Sequence, residues 1–216
     1  MSTEFALDQM VTQQVRAWDV LDERVLDVMR RVPRERYVPH AYREVAYADT
    51  AIPLAHGQRM LAPKVIGRIL QAVEASARDA VLEIGTGSGY LTACLAASAR
   101  VVHSIDIYDD IAAAARERLA ANGVANAEVR TADAFAEQIG TRYNVIVLTG
   151  SLPCYDERFQ EALEAGGRLF AIVGEDQAMS ARLVRRVSAS SWTSEDLFET
   201  WVEPLVHAPR PPRFVF

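Results

Sequence analysis

The run VLEIGTGSGY at residues 81–90 constrains the fold of this chain more than any other stretch. The apolar residues before position 85 predict a short, buried strand of a parallel sheet. Gly85, Gly87 and Gly89 predict a turn in which the backbone approaches a ligand closely, followed by a helix that begins near Tyr90. A strand, a glycine turn and a helix in this order indicate a site for a nucleoside cofactor.

The acid that precedes the turn indicates which cofactor this is. In a dinucleotide site the glycines are spaced G-x-G-x-x-G and the helix N-terminus receives a pyrophosphate, whereas here the third glycine comes one residue early. The Glu83 carboxylate would also repel phosphate and attract an ammonium or sulfonium group. S-adenosylmethionine carries both cations and is the predicted cofactor; an incidental turn and a nicotinamide-dependent oxidoreductase are the alternatives. The residues predicted to bind it here are Glu83, Gly85, Thr86, Gly87, Ser88 and Gly89.

Composition and charge are those of an ordinary globular protein. The chain has 216 residues, of which 50% are hydrophobic and 24% charged, so it suits one domain with a sizeable core. Its formal net charge of -6 leaves no basic footprint for the phosphate backbone of DNA or RNA. We therefore expect no nucleic-acid partner.

Cysteine usage and the first residues predict a cytoplasmic protein. Cys94 and Cys154 form neither a CxxC pair nor a metal-ligand spacing, so we expect a reducing compartment and no metal site. The start MSTEFALDQM lacks the basic and apolar regions of a signal peptide, and no apolar run approaches membrane-spanning length. No membrane association is expected.

The pattern of apolar residues predicts helices first and an alternation of strands and helices afterwards. Helical spacing predicts one helix that carries Phe5, Met10, Val11, Val15 and Trp18, a second with its N-cap at Asp22, and a third that begins at Pro63. Residues 33–56 lack periodicity and predict an irregular, ordered segment. The later elements are expected at 101–105, 109–121, 127–130, 144–149, 156–164 and 168–173.

This alternation predicts an α/β fold with a doubly wound, mostly parallel, Rossmann-like sheet. Residues 179–206 are more β-like and predict antiparallel strands at the sheet edge. We interpret residues 1–216 as a single domain. Its parts are an N-terminal helical and irregular extension (1–78), a cofactor-binding core (79–175) and C-terminal edge strands (176–216).

Polar residues that end the later strands are expected to lie beside the glycine turn. Because ligands bind beyond the carboxyl ends of parallel strands, Asp106 would accept hydrogen bonds from ribose hydroxyls and Asp133 would reach an adenine amino group. Each acid has a plainer alternative as a helix cap or turn residue. The small residues 149–151 should keep the crevice open. The predicted cofactor set therefore also includes Asp106, Ile107, Asp133, Ala134 and Thr149.

The order of these motifs resembles the class I methyltransferases that use S-adenosylmethionine, and LEAGGRLFAIVG at 163–174 is similar to their later Gly-Gly motif. Four segments narrow the resemblance to the protein-L-isoaspartate O-methyltransferase family: VPRERYVP at 32–39, AYADTAIPL at 46–54, GQRMLAP at 57–63 and the glycine run. The resemblance covers about residues 9 to 175. It implies a methyltransferase fold, S-adenosylmethionine as cofactor, and methyl transfer to the α-carboxylate of an isoaspartyl residue in a damaged protein or peptide.

The chain departs from this family's pattern where the acceptor is expected to bind. The family usually reads GQTISQP there, and its serine helps to hold the substrate carboxylate. Here Arg59 replaces the threonine and Leu61 stands at the serine position. Since leucine donates no hydrogen bond, we expect a rate lower by roughly ten- to hundred-fold unless another donor replaces the serine. Arg59 is expected either to grip a carboxylate or to point into solvent.

The resemblance implies a substrate-binding set of Asp49, Gln58, Arg59 and Leu61, although Asp49 and Gln58 have an alternative role in the turns of their own segment. No catalytic acid or base is assigned, because a carboxylate nucleophile is already an anion, and His56 is expected to be structural or solvated. Two other functions stay open. One is a methyltransferase of the same fold that acts on a small apolar carboxylic acid, and the other is a cofactor-binding protein without turnover.

Overall fold

The computed structural model describes residues 3–175 and 178–210. The strands of this part of the chain are β1 (Ile52–Pro53), β2 (Arg59–Met60), β3 (Ala80–Ile84), β4 (Val101–Asp106), β5 (Ala127–Thr131), β6 (Tyr143–Leu152), β7 (Leu163–Glu175), β8 (Ala178–Ser188) and β9 (Ser191–Glu199). The α-helices are α1 (Thr3–Gln9), α2 (Glu23–Arg31), α3 (Pro63–Val73), α4 (Tyr90–Ala96), α5 (Asp109–Ala121) and α6 (Arg158–Glu161).

Seven of these strands form one sheet in the order β5-β4-β3-β6-β7-β8-β9. The first five are mutually parallel, and β8 and β9 are antiparallel additions at one edge. The predicted fold class, a doubly wound and mostly parallel sheet with an antiparallel C-terminal edge, is confirmed. Because β4 lies on one side of β3 and β6 on the other, the chain reverses its winding direction next to β3. Open α/β sheets bind their ligands at such a reversal.

Alternation along the central strands places apolar side chains on both faces of the sheet. In β3, Val81 belongs to the cluster on one face and Leu82 to the cluster on the other, and Val145 and Ile146 of β6 divide in the same way. Each of these side chains is buried. A central strand that is covered on both faces reads as a continuous apolar run, which is how residues 81–84 read apart from Glu83.

The N-terminal extension covers one face of the sheet, though its first helix is less regular than predicted. After α1 the chain continues as a π-helical stretch (Met10–Val15) and a 3-10 turn (Arg16–Trp18). Met10, Val11 and Val15 are buried as expected. Phe5 and Trp18, the first and last apolar residues of the predicted helix, are 49% and 40% exposed. The change of helical period rotates Trp18 outward, where the Lys64 ammonium lies 4.2 Å from its ring centroid.

The next two helices begin where the sequence predicts. Asp22 caps α2 by accepting a hydrogen bond from the backbone N–H of Arg24, and Pro63 is the first residue of α3. Between them, residues 33–56 are irregular as predicted and contain the 3-10 turns Arg34–Arg36 and His40–Val45.

One buried arginine fixes this irregular segment. Arg34 is fully buried, its Nε donates to the Ala46 carbonyl at 2.9 Å, and its guanidinium carbon lies 5.3 Å from the Tyr90 ring centroid. Burial lowers the pKa of Arg34 to about 10. The motif VPRERYVP thus attaches the segment to the first residue of α4.

The helix predicted at 156–164 is shorter in the structure. It is the single turn α6, because Leu163 already pairs with Tyr143 in the sheet and accepts a hydrogen bond from the Arg186 guanidinium. The edge strands predicted within 179–206 end at Glu199. Residues 1–2, 176–177 and 211–216, which the single-domain interpretation includes, lie outside the described residues. No helix in the described ranges has both the length and the apolarity needed to cross a membrane.

Candidate active site

A cleft opens at the carboxyl ends of β3, β4 and β6, beside the point where the winding direction reverses. Its space is about 910 Å³, which includes open solvent at the mouth. Most residues predicted to bind the cofactor line this cleft; they are Glu83, Gly85, Thr86, Gly87, Ser88, Asp106, Ile107, Asp133, Ala134 and Thr149. Gly89 is the exception, since it is the N-cap of α4 and a Cβ there would lie 3.4 Å from Ala115 of α5.

The glycine turn has the backbone geometry that its sequence predicts. Gly85, Gly87 and Gly89 have φ angles of 93°, 54° and 84°, in the left-handed region that favours glycine. Gly85 also has no room for a side chain, because an added Cβ would lie 2.2 Å from Thr149 Oγ1. That hydroxyl donates to the carbonyls of Ile84 and Gly85 at 3.0 and 2.8 Å, and so joins the end of β3 to β6.

Glu83 lies completely buried beneath the turn. Its Oε2 accepts hydrogen bonds from the hydroxyls of Thr92 and Ser104, while its Oε1 has no partner among the described residues. Burial, with a further contribution from the nearby Asp106 charge, raises the pKa of Glu83 to about 7, and the two hydroxyls only partly oppose this. The described residues therefore provide hydrogen bonds to only one of the two carboxyl oxygens of Glu83. A ligand cation at the cleft would stabilise the ionised form of this acid.

Asp106 closes the turn from the end of β4. Its Oδ2 accepts from the backbone N–H of Gly87 at 2.9 Å and its Oδ1 from that of Tyr108 at 3.1 Å. Burial raises its pKa above the ordinary value, against these two hydrogen bonds. The carboxylate thus holds the glycine turn in place and also lines the cleft, so the structural and ligand-binding interpretations are compatible.

Asp133 lies in the turn after β5 and contacts the C-terminal segment. Its Oδ1 accepts from the backbone N–H of Phe135 at 2.8 Å, and its Oδ2 lies 2.7 Å from His207 Nδ1. Sequence reasoning found no motif around His207. The pairing positions the stretch that carries Leu205 and Val206, two further wall residues of the cleft.

The segment expected to hold the acceptor forms the opposite wall. Gln58, Arg59, Met60 and Leu61 line the cleft, and Leu61 is half-buried against the core. The structure does not bring Asp49 to this wall, because its carboxylate pairs with the Lys64 ammonium at 2.8 Å. This contact ties Asp49 to α3, and its substrate-binding role stays a prediction.

Arg59 is partly exposed to solvent, and its role at an acceptor carboxylate stays a prediction. Its Nε lies 3.2 Å from Oε1 of Glu203, and both residues line the cleft. The guanidinium therefore contacts a carboxylate of the chain itself rather than solvent alone. Glu203 carries no readable signal in the sequence, and only the folded structure brings it to residue 59.

His56 is structural, as the sequence predicts. Its ring stacks on Tyr108 with 4.0 Å between the centroids, and its Nε2 lies 2.9 Å from Oδ1 of Asp110. Tyr108 lines the cleft and was missed by sequence reasoning. Its position two residues after Asp106 was the available signal, because the residues that follow the acid continue along the same edge.

Comparison with known proteins identifies the family. The model of the protein-L-isoaspartate(D-aspartate) O-methyltransferase family matches residues 6–208. The chain is 37% identical over 210 residues to protein-L-isoaspartate O-methyltransferase 1 of Rhodopseudomonas palustris (strain HaA2), covering 95% of this chain and 85% of that protein. It is 39% identical over 187 residues to protein-L-isoaspartate O-methyltransferase of Methanoculleus marisnigri, covering 83% and 82%.

The fold comparison agrees with the sequence comparison. A crystal structure described as a protein-L-isoaspartate O-methyltransferase of Plasmodium falciparum, in complex with S-adenosyl-L-homocysteine, superposes with a TM-score of 0.78 at 17% identity and covers 92% of this chain and 97% of that one. At this identity the likeness shows the fold alone. From the family match and the two relatives, this chain belongs to the protein-L-isoaspartate(D-aspartate) O-methyltransferase family.

Proposed function

We propose that this protein transfers the methyl group of S-adenosylmethionine to the α-carboxylate of isoaspartyl residues in proteins and peptides. The observation that carries the proposal is a single cleft with two different walls. One wall consists of the glycine turn and the strand-end acids. The other is the segment 57–61, where the family resemblance places the acceptor.

The residues of the first wall fit the cofactor. Glu83 Oε1 is buried and has no hydrogen-bond partner within residues 3–175 and 178–210, so an ammonium or sulfonium group at the cleft would supply the missing interaction. Asp106 lines the same wall and retains lone pairs for ribose hydroxyls, and Asp133 lies further along the edge of the sheet. The glycines of the turn carry no side chain, so the backbone is accessible where the cofactor would lie. When bound, S-adenosylmethionine supplies the electrophilic methyl group.

The protein's own contribution is to position the acceptor and to exclude water. A carboxylate is already an anionic nucleophile, so no general base is required and alignment of the reacting oxygen dominates the rate. Leu54, Met60 and Leu61 present apolar side chains to the cleft, and Leu54 lies over the turn at Gly87. Arg59 is the donor that we assign to the acceptor carboxylate, since Leu61 provides none.

The relatives favour this acceptor over the alternatives that the sequence left open. Both relatives named above match over most of the chain and are named for isoaspartate methylation. Two alternative hypotheses, a small apolar acid as acceptor and a cofactor-binding protein without turnover, would be supported by Leu61 alone. Arg59 offers a replacement for the missing serine, so Leu61 is not sufficient reason to prefer either.

Two further assignments stay predictions. We interpret the chain as one domain in which residues 1–78 provide the acceptor side and residues 79–175 the cofactor side. We also expect a cytoplasmic location, because Cys94 and Cys154 are both free thiols in the structure.

The proposal is tested by methyl transfer from labelled S-adenosylmethionine to two peptides that differ only in an isoaspartyl or an aspartyl linkage. We expect base-labile label in the isoaspartyl peptide and little in its isomer. Absence of transfer to either peptide, although S-adenosylhomocysteine binds in calorimetry, would contradict the acceptor assignment while retaining the cofactor site. Binding of NAD instead of S-adenosylhomocysteine would contradict both.

A further inference from the structure

The charged residues that line the cleft are mostly acidic. Four acids line it, Glu83, Asp106, Asp133 and Glu203. Arg59 is the only basic side chain among the described residues that form its walls. An acceptor carboxylate that enters this cleft meets repulsion from the acids, and Arg59 is the wall residue that attracts it.

That single cation is already paired in the structure. Arg59 Nε lies 3.2 Å from Glu203 Oε1, and the two side chains are 46% and 24% exposed. An ion pair with this much solvent contact is weak, so another carboxylate of similar geometry competes for the guanidinium at little cost.

The two partners are held by different parts of the fold. Arg59 belongs to β2, which pairs with β1 in the N-terminal segment. Glu203 is fixed to the sheet, because its carbonyl accepts from the backbone N–H of Ser151 at 3.0 Å. Gly150 allows this close approach, since a Cβ there would lie 3.0 Å from the Glu203 carbonyl oxygen. The pair therefore joins the acceptor side of the cleft, residues 58–61, to the C-terminal segment that carries Glu203 and Leu205.

We infer that Glu203 is a specificity-determining residue whose carboxylate occupies Arg59 in the place of the acceptor, and that the isoaspartyl α-carboxylate binds by exchanging with Glu203. The inference rests on the proposed function and deepens it by naming the residue that the acceptor displaces. A carboxylate ligand must displace Glu203 before it gains the guanidinium. Glu203 therefore lowers the affinity for carboxylate ligands and leaves the affinity for neutral ligands unchanged.

The test compares two peptides for binding to the complex with S-adenosylhomocysteine. One has a free isoaspartyl α-carboxylate and the other has the same group as a carboxamide, and the ratio of their dissociation constants is the readout. Glu203→Gln removes the competing charge and keeps the side-chain shape. We expect it to raise the preference for the carboxylate peptide by about two- to fivefold, the upper part of the range for a partly exposed pair.

Arg59→Gln removes the cation and is expected to lower the same preference by about tenfold or more, as for the loss of a charge-assisted hydrogen bond. Asp196→Asn is the matched control, because it breaks an equivalent contact to Arg182 Nε at 2.8 Å on β8 and β9, and neither residue lines the cleft. The control is expected to leave the preference unchanged. Affinity for S-adenosylhomocysteine is measured in all three variants, and Asp196→Asn should leave it within about twofold of the wild-type value.

A structural clamp would give a different result. If the ion pair only joins the acceptor side to the C-terminal segment, Glu203→Gln and Arg59→Gln would weaken both peptides equally and the ratio would not change, which would overturn the inference. The wild-type protein could instead prefer and methylate the carboxylate peptide while Glu203→Gln leaves the ratio unchanged. Glu203 would then have no role in specificity, and the proposed function would stand. A wild-type protein that binds S-adenosylhomocysteine but neither peptide removes the proposed acceptor and this inference together.

Discussion

His207 Nδ1 lies 2.7 Å from Asp133 Oδ2, which attaches the C-terminal segment to the turn that follows β5. This contact joins a residue outside every strand and helix to an acid predicted to face the adenine of the cofactor. The same segment contributes Leu205 and Val206 to the cleft. The wall of the cofactor site therefore depends on a pairing between residues distant in sequence.

The pairing predicts an acid-dependent stability difference for His207→Ala. Burial alone would raise the pKa of Asp133, but the hydrogen bonds from His207 and from the Phe135 N–H outweigh it and lower the pKa below 3.8. A lowered carboxyl pKa stabilises the folded state above the unfolded value, and this contribution disappears as pH falls through the folded value. Urea unfolding from about pH 6 down to about pH 3 should show the wild-type advantage shrinking towards the acid end. An advantage that does not change over this range would contradict the pairing.

Glu83→Gln is expected to change the pH dependence of stability in the opposite sense. Glu83 ionises near 4.5 when unfolded and at about 7 when folded, because of its burial. Between these values the folded state binds more protons, so the wild-type free energy of unfolding falls as pH rises and then levels off above about 7. The variant lacks this slope and should gain up to about 3 kcal/mol relative to wild type between pH 5 and pH 8.

Chemical denaturation without cofactor measures this difference, and Glu195→Gln, an exposed glutamate of β9, provides the control. The same Glu83→Gln variant should bind S-adenosylmethionine about tenfold or more weakly at pH 8, since the cation loses its buried counter-charge. Parallel pH profiles for the variant and wild type, or unchanged cofactor affinity, would remove Glu83 from the site.

Gly85→Ala tests whether the turn tolerates a side chain. Its φ of 93° is strained for alanine, and the new Cβ would lie 2.2 Å from Thr149 Oγ1. We expect a loss of about 2 kcal/mol or more in unfolding free energy, together with loss of cofactor binding. Gly123→Ala is the matched control, because Gly123 has a φ of 71° and nothing lies within 4 Å of its added Cβ. The control should cost only about 1 kcal/mol; equal losses would show that backbone strain alone explains the effect.

Leu61→Ser restores the family's serine, and its effect depends on Arg59. If Arg59 already holds the acceptor, the variant should change kcat/KM for an isoaspartyl peptide by less than about tenfold in the wild-type background. In the Arg59→Gln background, the new hydroxyl should recover part of the lost rate. Strong activation by Leu61→Ser in the wild-type background would mean that Arg59 does not replace the serine. Steady-state kinetics on the four proteins separates the two cases.

Much of the fold was predictable because local physical rules determine it. The apolar run that contains Val81 and Leu82 predicted a buried strand of a parallel sheet, and Pro63 predicted the first residue of α3. The glycine turn was predictable for the same reason, since its positive φ angles are costly for other residues. The helix predicted from Phe5 to Trp18 is less regular than its spacing indicates, because a π-helical stretch changes its period.

The missed parts of the site are pairings between residues that are distant in sequence. Arg59 with Glu203 and His207 with Asp133 both join the C-terminal segment to the cleft, and neither pair has a local pattern. Asp49 pairs with Lys64 rather than lining the cleft, because the start of α3 brings the chain's only lysine to it. Such contacts depend on the sheet order, which determines the neighbours of each loop.

The position of the transferred methyl group decides whether this protein methylates isoaspartyl residues. Tandem mass spectrometry of an isoaspartyl peptide, after incubation with this protein and S-adenosylmethionine, identifies the atom that received it. We expect one methyl ester on the isoaspartyl α-carboxylate and none on the aspartyl isomer. A methyl group on another functional group of the peptide, or an unmodified peptide in the presence of a protein that binds the cofactor, would contradict this expectation.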